Sequence, residues 1–386
     1  MRKSTKFASV VLAAAMVMSS FTACGGNGGN ADATTFKIGG IGPITGGAAV
    51  YGQAVMNGAQ IAVDEINAAG GINGYQIEYK FQDDEHDAEK SVNAYNALKD
   101  WGVQMVVGST TSDPCIAVAA MSSQDNIFQL TPSGSAVDCV GPDNVFRVCF
   151  SDPNQGKASA QYIGQNAVAS KVAVIYDSST TYSAGIYESF AAEAANQPFE
   201  VVAAEAFTAD NATDFSVQLQ KAKEAGAELV FLPIYYEAAS AILTQADAMG
   251  FAPIFFGCDG LDGLLTVEGF DTKLAEGVML LTPFAADATD DLTVKFVTSY
   301  QEKYNEIPNQ FAADAYDAVY AIKAAAEKAG IKPSMSASDI CEALKAAMTQ
   351  ITIDGLTGEG MSWEASGEPN KAPKAVIIKD GAYSAL

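Results

Sequence analysis

The sequence contains few of the side chains on which metalloenzymes and acid–base enzymes depend. Its 386 residues include one histidine, His86, and no cysteine–histidine group has the spacing of a zinc site. With a single histidine, acid–base catalysis also has few candidate residues. We therefore expect no metal ion and no cofactor.

Basic residues are scarce as well. Lysine and arginine together number 22 against 46 acidic residues, so the formal net charge at pH 7 is −24. Nucleic acids and anionic lipid surfaces are bound through basic patches. We therefore expect no nucleic acid as a partner, and we interpret the acidic surface as a source of solubility outside the cell.

Recognisable catalytic motifs are missing. There is no Gly-x-Ser-x-Gly nucleophile turn, and the glycine-rich residues 40–45 end in threonine and include Pro43, unlike a dinucleotide-binding loop. The acidic residues 83–87 could form a metal site or a carboxylate pair, although a solvated acidic loop is the simpler interpretation. The sequence therefore predicts that the protein is not an enzyme, with an enzyme that uses these acids as the alternative.

Long apolar runs are confined to the start of the chain. An apolar run over residues 7–18 follows a short basic segment and is too short to cross a bilayer, which is typical of a signal peptide. Phe-Thr-Ala then precedes Cys24, as at a bacterial lipoprotein cleavage site, except that Phe21 stands where an aliphatic residue is usual. An ordinary secretory signal is the alternative.

We therefore predict three features at the start of the chain. Residues 1–23 form a lipoprotein signal peptide, Cys24 carries the lipid, and residues 24–35 form a flexible tether. The protein would then lie outside the cytoplasm, anchored by its lipid to the bacterial cell membrane.

Five cysteines follow Cys24, and an odd number leaves at least one free thiol in an exported protein. Cys139 and Cys149 are the nearest pair and flank a Gly-Pro-Asp turn. They are the first candidates for a disulfide, and the pattern of all five stays open.

Residues 36–84 follow the pattern of a strand, a helix and a second strand. An apolar run over 36–41 predicts a buried strand. Apolar residues recur at three- and four-residue steps from Tyr51 to Ile66, which predicts a helix. The alternating segment 75–81 predicts the second strand. Such a unit indicates a parallel sheet, in which ligands bind beyond the carboxyl ends of the strands.

Hydroxyl-rich turns follow the next two predicted strands, at residues 108–114 and 131–136. Asp113 and Pro114 favour a helix start in the first turn. A helix N-terminus presents free N–H groups, which suit a carboxylate. Two such turns on neighbouring strands predict an anion-binding corner, or else two capping turns that bind no ligand.

A second series of alternating strands and helices begins after residue 151. Its strands end in aromatic and acidic residues, which is typical of the ligand-binding edge of an α/β lobe. A chain of 386 residues also exceeds what one core usually supports, so two domains are expected.

The opening stretch resembles a known family. It contains G-P-I-T-G, then Y-G-Q-A-V-M-N-G-A, then D-E-I-N-A-A-G-G-I-N-G, and D-D after the second strand. Together these resemble the leucine/isoleucine/valine-binding proteins, the substrate-binding components of branched-chain amino-acid ABC transporters. The resemblance covers roughly residues 36–378.

The resemblance implies an α/β fold of the type 1 periplasmic binding protein kind, with two doubly wound parallel-sheet lobes joined by a three-segment hinge. Lobe 1 would comprise residues 36–150 and 284–354. Lobe 2 would comprise residues 151–283 and 355–386.

The resemblance also implies a ligand site. Ser112, Ser133 and Ser135 would hold the α-carboxylate of an amino acid, Ser133 chiefly through its backbone. Asp259 stands where the family has a glutamate, in a turn that reads Gly-Cys-Asp-Gly here. It would hold the α-ammonium with the hydroxyl of Tyr235.

Aromatic residues would complete the site. Tyr182 matches a residue that closes over the ligand, although Ser183 replaces the usual glycine. Tyr51 and Phe311 would line the side-chain pocket. The family often has a disulfide from the loop after its second strand, but that loop carries His86 and no cysteine here.

The implied function is capture of an amino acid with a branched-chain or similar apolar or small side chain, followed by delivery to the permease of an ABC transporter. We expect a monomer. A ligand-sensing receptor module, or a binder of an amide or short peptide, stays open as an alternative.

Overall fold

The computed structural model of the protein describes residues 33–386. The predicted signal peptide, Cys24 and the tether up to residue 32 lie outside the described residues. Strands and helices alternate along most of the described chain and form two separate sheets.

The first sheet has five parallel strands in the order β2-β1-β3-β4-β5. Its strands are β1 (Thr35–Gly42), β2 (Gln76–Asp83), β3 (Met105–Val107), β4 (Phe128–Thr131) and β5 (Val145–Arg147).

The second sheet has seven strands in the order β12-β11-β10-β9-β8-β6-β7. Its strands are β6 (Lys171–Asp177), β7 (Glu200–Phe207), β8 (Leu229–Leu232), β9 (Ile254–Gly257), β10 (Met279–Thr282), β11 (Lys374–Lys379) and β12 (Ala382–Ala385).

The described residues form ten α-helices. They are α1 (Ala49–Ala68), α2 (Ala88–Trp101), α3 (Ser112–Asp125), α4 (Asp152–Gln165), α5 (Thr181–Ala194), α6 (Ser216–Glu224), α7 (Tyr236–Ala248), α8 (Asp291–Tyr304), α9 (Gln310–Ala329) and α10 (Ala337–Met348). None of them is long and apolar enough to cross a membrane.

We call the five-stranded sheet with the helices that cover it the first lobe, and the seven-stranded sheet with its helices the second lobe. The late helix α9 belongs to the first lobe, although β10 precedes it in the chain. It packs against α1, where a Cβ on Gly58 would lie 2.0 Å from the Ala312 carbonyl oxygen. The Tyr316 hydroxyl also donates to Glu65 at 2.7 Å. The two-lobe α/β fold predicted from the sequence is therefore confirmed.

The second sheet differs from the prediction of a purely parallel sheet. β10 pairs with β11, and β11 with β12, in antiparallel fashion. Asp380 and Gly381 join β11 to β12 with φ values of 52° and 76°. Positive φ at both central residues is what a tight two-residue hairpin requires, so the Asp-Gly pair explains a strand that the sequence analysis did not predict.

The predicted Cys139–Cys149 disulfide is wrong. All five cysteines of the described residues have free, buried thiols. Cys139 lies in a short 3₁₀ turn beneath α3, in a small cluster with Cys115, and its thiol donates to the Ser112 carbonyl at 3.6 Å. Cys149 lies beyond β5, where the chain leaves the first sheet. Nearness in sequence does not bring two thiols together when a strand separates them.

Candidate ligand-binding site

A cavity with about 220 Å³ of free space lies between the two lobes. Part of this space is open to solvent. The residues that line it are Tyr51, Thr110, Thr111, Ser112, Ser133, Tyr182, Tyr235, Asp259, Gly260 and Phe311. Seven of the eight residues predicted from the sequence are among them, and Ser135 is not.

The first lobe contributes a helix start and two hydroxyl groups. Ser112 is the first residue of α3, so N–H groups of the first turn face the cavity end of the helix. The Ser112 hydroxyl accepts from the Ala136 N–H at 3.2 Å, and the Ser133 hydroxyl donates to the Thr110 carbonyl at 2.6 Å. These bonds tie the two hydroxyl-rich turns together. The arrangement can hold a carboxylate, because it combines free donors with the positive end of a helix dipole.

Ser135 does not line the cavity but contacts Asp152. The Asp152 N–H donates to the Ser135 carbonyl at 2.9 Å. The Ser135 hydroxyl and both carboxylate oxygens of Asp152 are buried without a hydrogen-bond partner among the described residues. Burial raises the pKa of Asp152 well above its usual range. Sequence reasoning did not single out Asp152, a buried acid close behind the cavity wall.

A buried arginine holds the second hydroxyl-rich turn in place. Arg147 is fully buried, and its guanidinium donates to the carbonyls of Gly134, Ser135 and Ala136. It also forms an ion pair with Glu368 at 3.1 Å. The only feature of the sequence that points to a buried role for Arg147 is its isolated charge in the apolar run V-F-R-V-C-F. Arg147 is therefore a positioning residue for the turn that carries Ser133.

The second lobe contributes a buried acid. Asp259 follows β9, and its carboxylate accepts from the Tyr182 hydroxyl at 2.6 Å. The same hydroxyl accepts from the Gly260 N–H at 2.9 Å. Burial raises the pKa of Asp259 to about 6, with the Tyr182 bond acting in the opposite direction. The carboxylate lies in the cavity wall, where it can pair with a cation.

Tyrosine side chains form the apolar wall. Tyr235 stacks on Tyr182 with ring centroids 4.8 Å apart. The hydroxyl that contacts the Asp259 carboxylate is that of Tyr182. Tyr51 lies 4.3 Å from Phe311, centroid to centroid, and meets Tyr235 edge-on at 5.5 Å. This wall can take an apolar side chain of the ligand.

Direct bonds across the cavity join the lobes. The Tyr51 hydroxyl, on α1, donates to the Gly260 carbonyl of the second lobe at 2.5 Å. The Gln310 N–H, at the start of α9, donates to Asp262 at 2.9 Å. The structure therefore represents a closed arrangement of the lobes.

The prediction missed three lining residues, Thr110, Thr111 and Gly260. The two threonines directly precede Ser112 in the same turn, so a broader interpretation of that turn would have included them. No group of histidine, cysteine, aspartate or glutamate within residues 33–386 has a geometry that could hold a metal ion.

Comparisons with known proteins point to one family. A model of the family described as periplasmic binding protein matches residues 35–382. The Leu/Ile/Val-binding protein homolog 3 of Brucella melitensis is 32% identical over 295 residues, which are 76% of this chain and 79% of that protein. The leucine-, isoleucine-, valine-, threonine- and alanine-binding protein of Pseudomonas aeruginosa is 28% identical over 316 residues, 81% of this chain and 83% of that protein.

A solved structure is similar over almost the whole described chain. It is the crystal structure of the branched-chain amino acid transporter substrate binding protein LivJ from Streptococcus pneumoniae in complex with isoleucine. It matches with a TM-score of 0.82 and 32% sequence identity, over 91% of this chain and 98% of that one.

Proposed function

This chain belongs to the periplasmic binding protein family, among the leucine/isoleucine/valine-binding proteins, and from that premise we propose that it captures a zwitterionic amino acid between its lobes for an ABC transporter. One observation carries the proposal. The start of α3 with Ser112 faces the buried carboxylate of Asp259 across a closed cavity. A ligand with an α-carboxylate and an α-ammonium fits both ends.

The two charges of the ligand are what make it select the closed state. The carboxylate binds the first lobe and the ammonium binds the second, so a zwitterion has its full set of contacts only when the lobes are together. A ligand that binds one state better shifts the population toward that state. Burying both charges is tolerable because each is paired and hydrogen-bonded.

The side chain of the ligand would lie against Tyr51, Tyr235 and Phe311. These rings favour an apolar side chain. The Streptococcus relative is described with isoleucine, and the name of the Pseudomonas relative adds threonine and alanine to the branched-chain set. Leucine, isoleucine and valine are therefore the first ligands to test, with alanine and threonine next.

The boundaries of the lobes are part of the proposal. Lobe 1 would comprise residues 36–150 and 284–354, and lobe 2 residues 151–283 and 355–386. The order of the strands supports these limits, because β5 lies in the first sheet while β6, β10 and β11 lie in the second. The chain would then cross three times between the lobes, which gives a hinge of three segments.

We also propose a lipid anchor on Cys24, a monomer in solution and a membrane permease as the partner. Changing Cys24 to serine should release the protein from the membrane fraction into the medium or periplasm. A wild-type protein that is soluble and carries no lipid by mass spectrometry would contradict the anchor.

A thermal-shift screen tests the function. The mature protein is melted with each of the twenty amino acids and with leucinamide and a dileucine peptide as alternatives. A ligand at one hundred times its dissociation constant adds about 2.7 kcal/mol to the free energy of unfolding. We expect shifts with branched-chain amino acids and none with the peptide. Turnover of a bound compound, seen by mass spectrometry, would contradict a pure binding protein.

A further inference from the structure

His86 is the one histidine of the chain, and it lies where the two lobes meet. It sits in the loop between β2 and α2 and does not line the cavity. A hydrogen bond of 2.8 Å joins its Nδ1 to the Thr111 hydroxyl of the first lobe. Its ring meets the Tyr235 ring of the second lobe edge-on, with centroids 5.3 Å apart. Both partners are lining residues of the cavity.

The backbone holds His86 in this position. Its φ is 59°, in the left-handed region that few residues other than glycine, asparagine, aspartate and histidine adopt readily. The His86 N–H donates to the buried Asp84 carboxylate at 3.0 Å. The first lobe thus holds the ring through the Thr111 hydroxyl and the backbone through the Asp84 carboxylate.

We propose that His86 is a positioning residue for ligand capture. It orients Thr111 at the carboxylate end of the cavity. When the lobes close, its ring packs against the Tyr235 ring only if the imidazole is uncharged. The proposal rests on the proposed function, because it concerns the affinity for the same amino acid.

The charged groups around the ring determine how it responds to pH. Asp87 faces it from its own loop, Asp113 from α3, and Asp177 from the end of β6, besides Tyr235 and the backbone-bound Asp84. Burial between the lobes nevertheless lowers the pKa of His86 below its usual value. An imidazole that opens to water returns to about 6.5.

The sign of the effect follows from these two values. The closed state has the lower pKa, so closing the lobes on a protonated ring requires loss of the proton. Affinity is then fully present above about pH 6.5 and falls as the pH drops below it. Opening and closing of the lobes would thus be linked to one proton on His86.

Two variants separate the contacts of His86. His86→Asn keeps a polar atom at the place of Nδ1 and tolerates the left-handed backbone, but it has no ring and does not titrate. His86→Ala loses the hydrogen bond as well. Glu89→Gln, on the exposed first turn of α2, is the matched control for a local change of charge.

Calorimetric titration with L-leucine at pH 7.5 and pH 5.5 is the test. At pH 7.5 we expect His86→Asn to bind about two- to tenfold more weakly than the wild type, because an edge-to-face aromatic contact is lost. His86→Ala should bind more weakly still, and Glu89→Gln as the wild type does. When the pH is lowered from 7.5 to 5.5, the affinity of the wild type should fall by a factor up to about ten times larger than the factor for His86→Asn. Asp84 and Asp259 are present in both proteins. Dividing the pH-dependent change in the affinity of the wild type by that of His86→Asn therefore removes their contribution.

The melting temperature of each variant without ligand confirms that it is folded at the temperature of the titration. Equal affinity of the wild type and both His86 variants at pH 7.5, or an affinity ratio that is the same at both pH values, would overturn the proposal. A wild type that binds no amino acid at either pH contradicts the proposed function, and this proposal with it.

Discussion

Asp259 has a hydrogen-bond partner within its own lobe. Its carboxylate accepts from the Tyr182 hydroxyl at 2.6 Å, and its backbone N–H donates to Gln155 at 3.3 Å. The aspartate is one methylene shorter than the glutamate expected from the family resemblance. The Tyr182 hydroxyl holds the carboxylate at the cavity wall.

At the residue scale, replacing Asp259 tests the ammonium end of the site. Asp259→Asn should weaken the binding of leucine by about 2–5 kcal/mol, because the ligand ammonium is then buried without a counter-charge. Asp259→Glu keeps the charge and serves as the control, with a smaller loss. Calorimetry at pH 7.5 measures both. If Asp259→Asn changes the affinity less than about threefold, this residue does not hold the ammonium.

Arg147 is a second residue whose effect should be large. Arg147→Met leaves three carbonyls of the 134–136 turn and the partly buried Glu368 without their donor. Leaving a buried hydrogen-bond acceptor without its donor costs about 1–3 kcal/mol of unfolding free energy, and several acceptors lose their donor here. Urea denaturation measures it, with Lys221→Met as the control. That lysine pairs with Glu205 at the surface, where such pairs contribute about 0–1 kcal/mol. Equal losses in the two variants would contradict the assignment.

At the element scale, the contact between α1 and α9 holds a helix from the C-terminal part of the chain on the sheet that the N-terminal strands form. Gly58→Ala tests it, because intrinsic helix propensity favours alanine by about 1 kcal/mol in a free helix. Here the added Cβ would lie 2.0 Å from the Ala312 carbonyl oxygen, so the helices must move apart. We expect a net loss of about 1–3 kcal/mol in urea denaturation.

Glu302→Ala, on the exposed face of α8, is the control and should change stability by less than about 0.5 kcal/mol. A Gly58→Ala protein that is more stable than the wild type would show that the two helices are not in close contact.

The elements most accurately predicted from the sequence are those with strong end signals. The sequence predicts helices over residues 291–304 and 310–329, and α8 and α9 begin and end at these residues. Asp290 and Asn309 cap their first turns, and Asn305 and Gly330 take positive φ after their ends. α4 was not predicted, because its face is rich in small and polar residues that give a weak apolar period.

The site was accessible to prediction where residues follow a strand, as Ser112, Tyr235 and Asp259 do. The site could not be predicted where packing between residues distant in the sequence determines the position of a side chain. Ser135 contacts Asp152 through its backbone carbonyl and does not line the cavity, and Arg147 bonds to the 134–136 turn only because the fold buries it there. No local pattern fixes the direction of a side chain in a turn, and the pairing of Cys139 failed for the same reason.

At the scale of the whole molecule, several buried acids make stability depend on pH. Burial raises the pKa of Asp84 and Asp262 to about 7, and that of Asp259 and Asp317 to about 6. In the unfolded chain an aspartate has a pKa of about 3.9. The folded protein therefore binds more protons between about pH 4 and pH 7, and its stability falls as the pH rises over this range.

We predict that the protein without ligand melts at a higher temperature at pH 5 than at pH 8, by an amount equivalent to about 2 kcal/mol or more. The net charge of −24 acts in the same direction, because repulsion among carboxylates grows with pH. Scanning calorimetry measures the difference. Asp262→Asn removes one of these groups and should reduce it, whereas a melting temperature that rises from pH 5 to pH 8 would contradict the account.

We infer that the closed cavity recognises both charges of one amino acid. Calorimetric titration of the mature protein with leucine, with 4-methylpentanoate and with 3-methylbutylamine tests it most directly, because the two analogues keep the side chain and lack one charge each. We predict that leucine binds and that each analogue binds at least about a hundredfold more weakly, a difference of about 2.7 kcal/mol or more. If either analogue binds within about threefold of leucine, the charge that it lacks is not recognised, and a cavity that bridges a zwitterion is the wrong description of this protein.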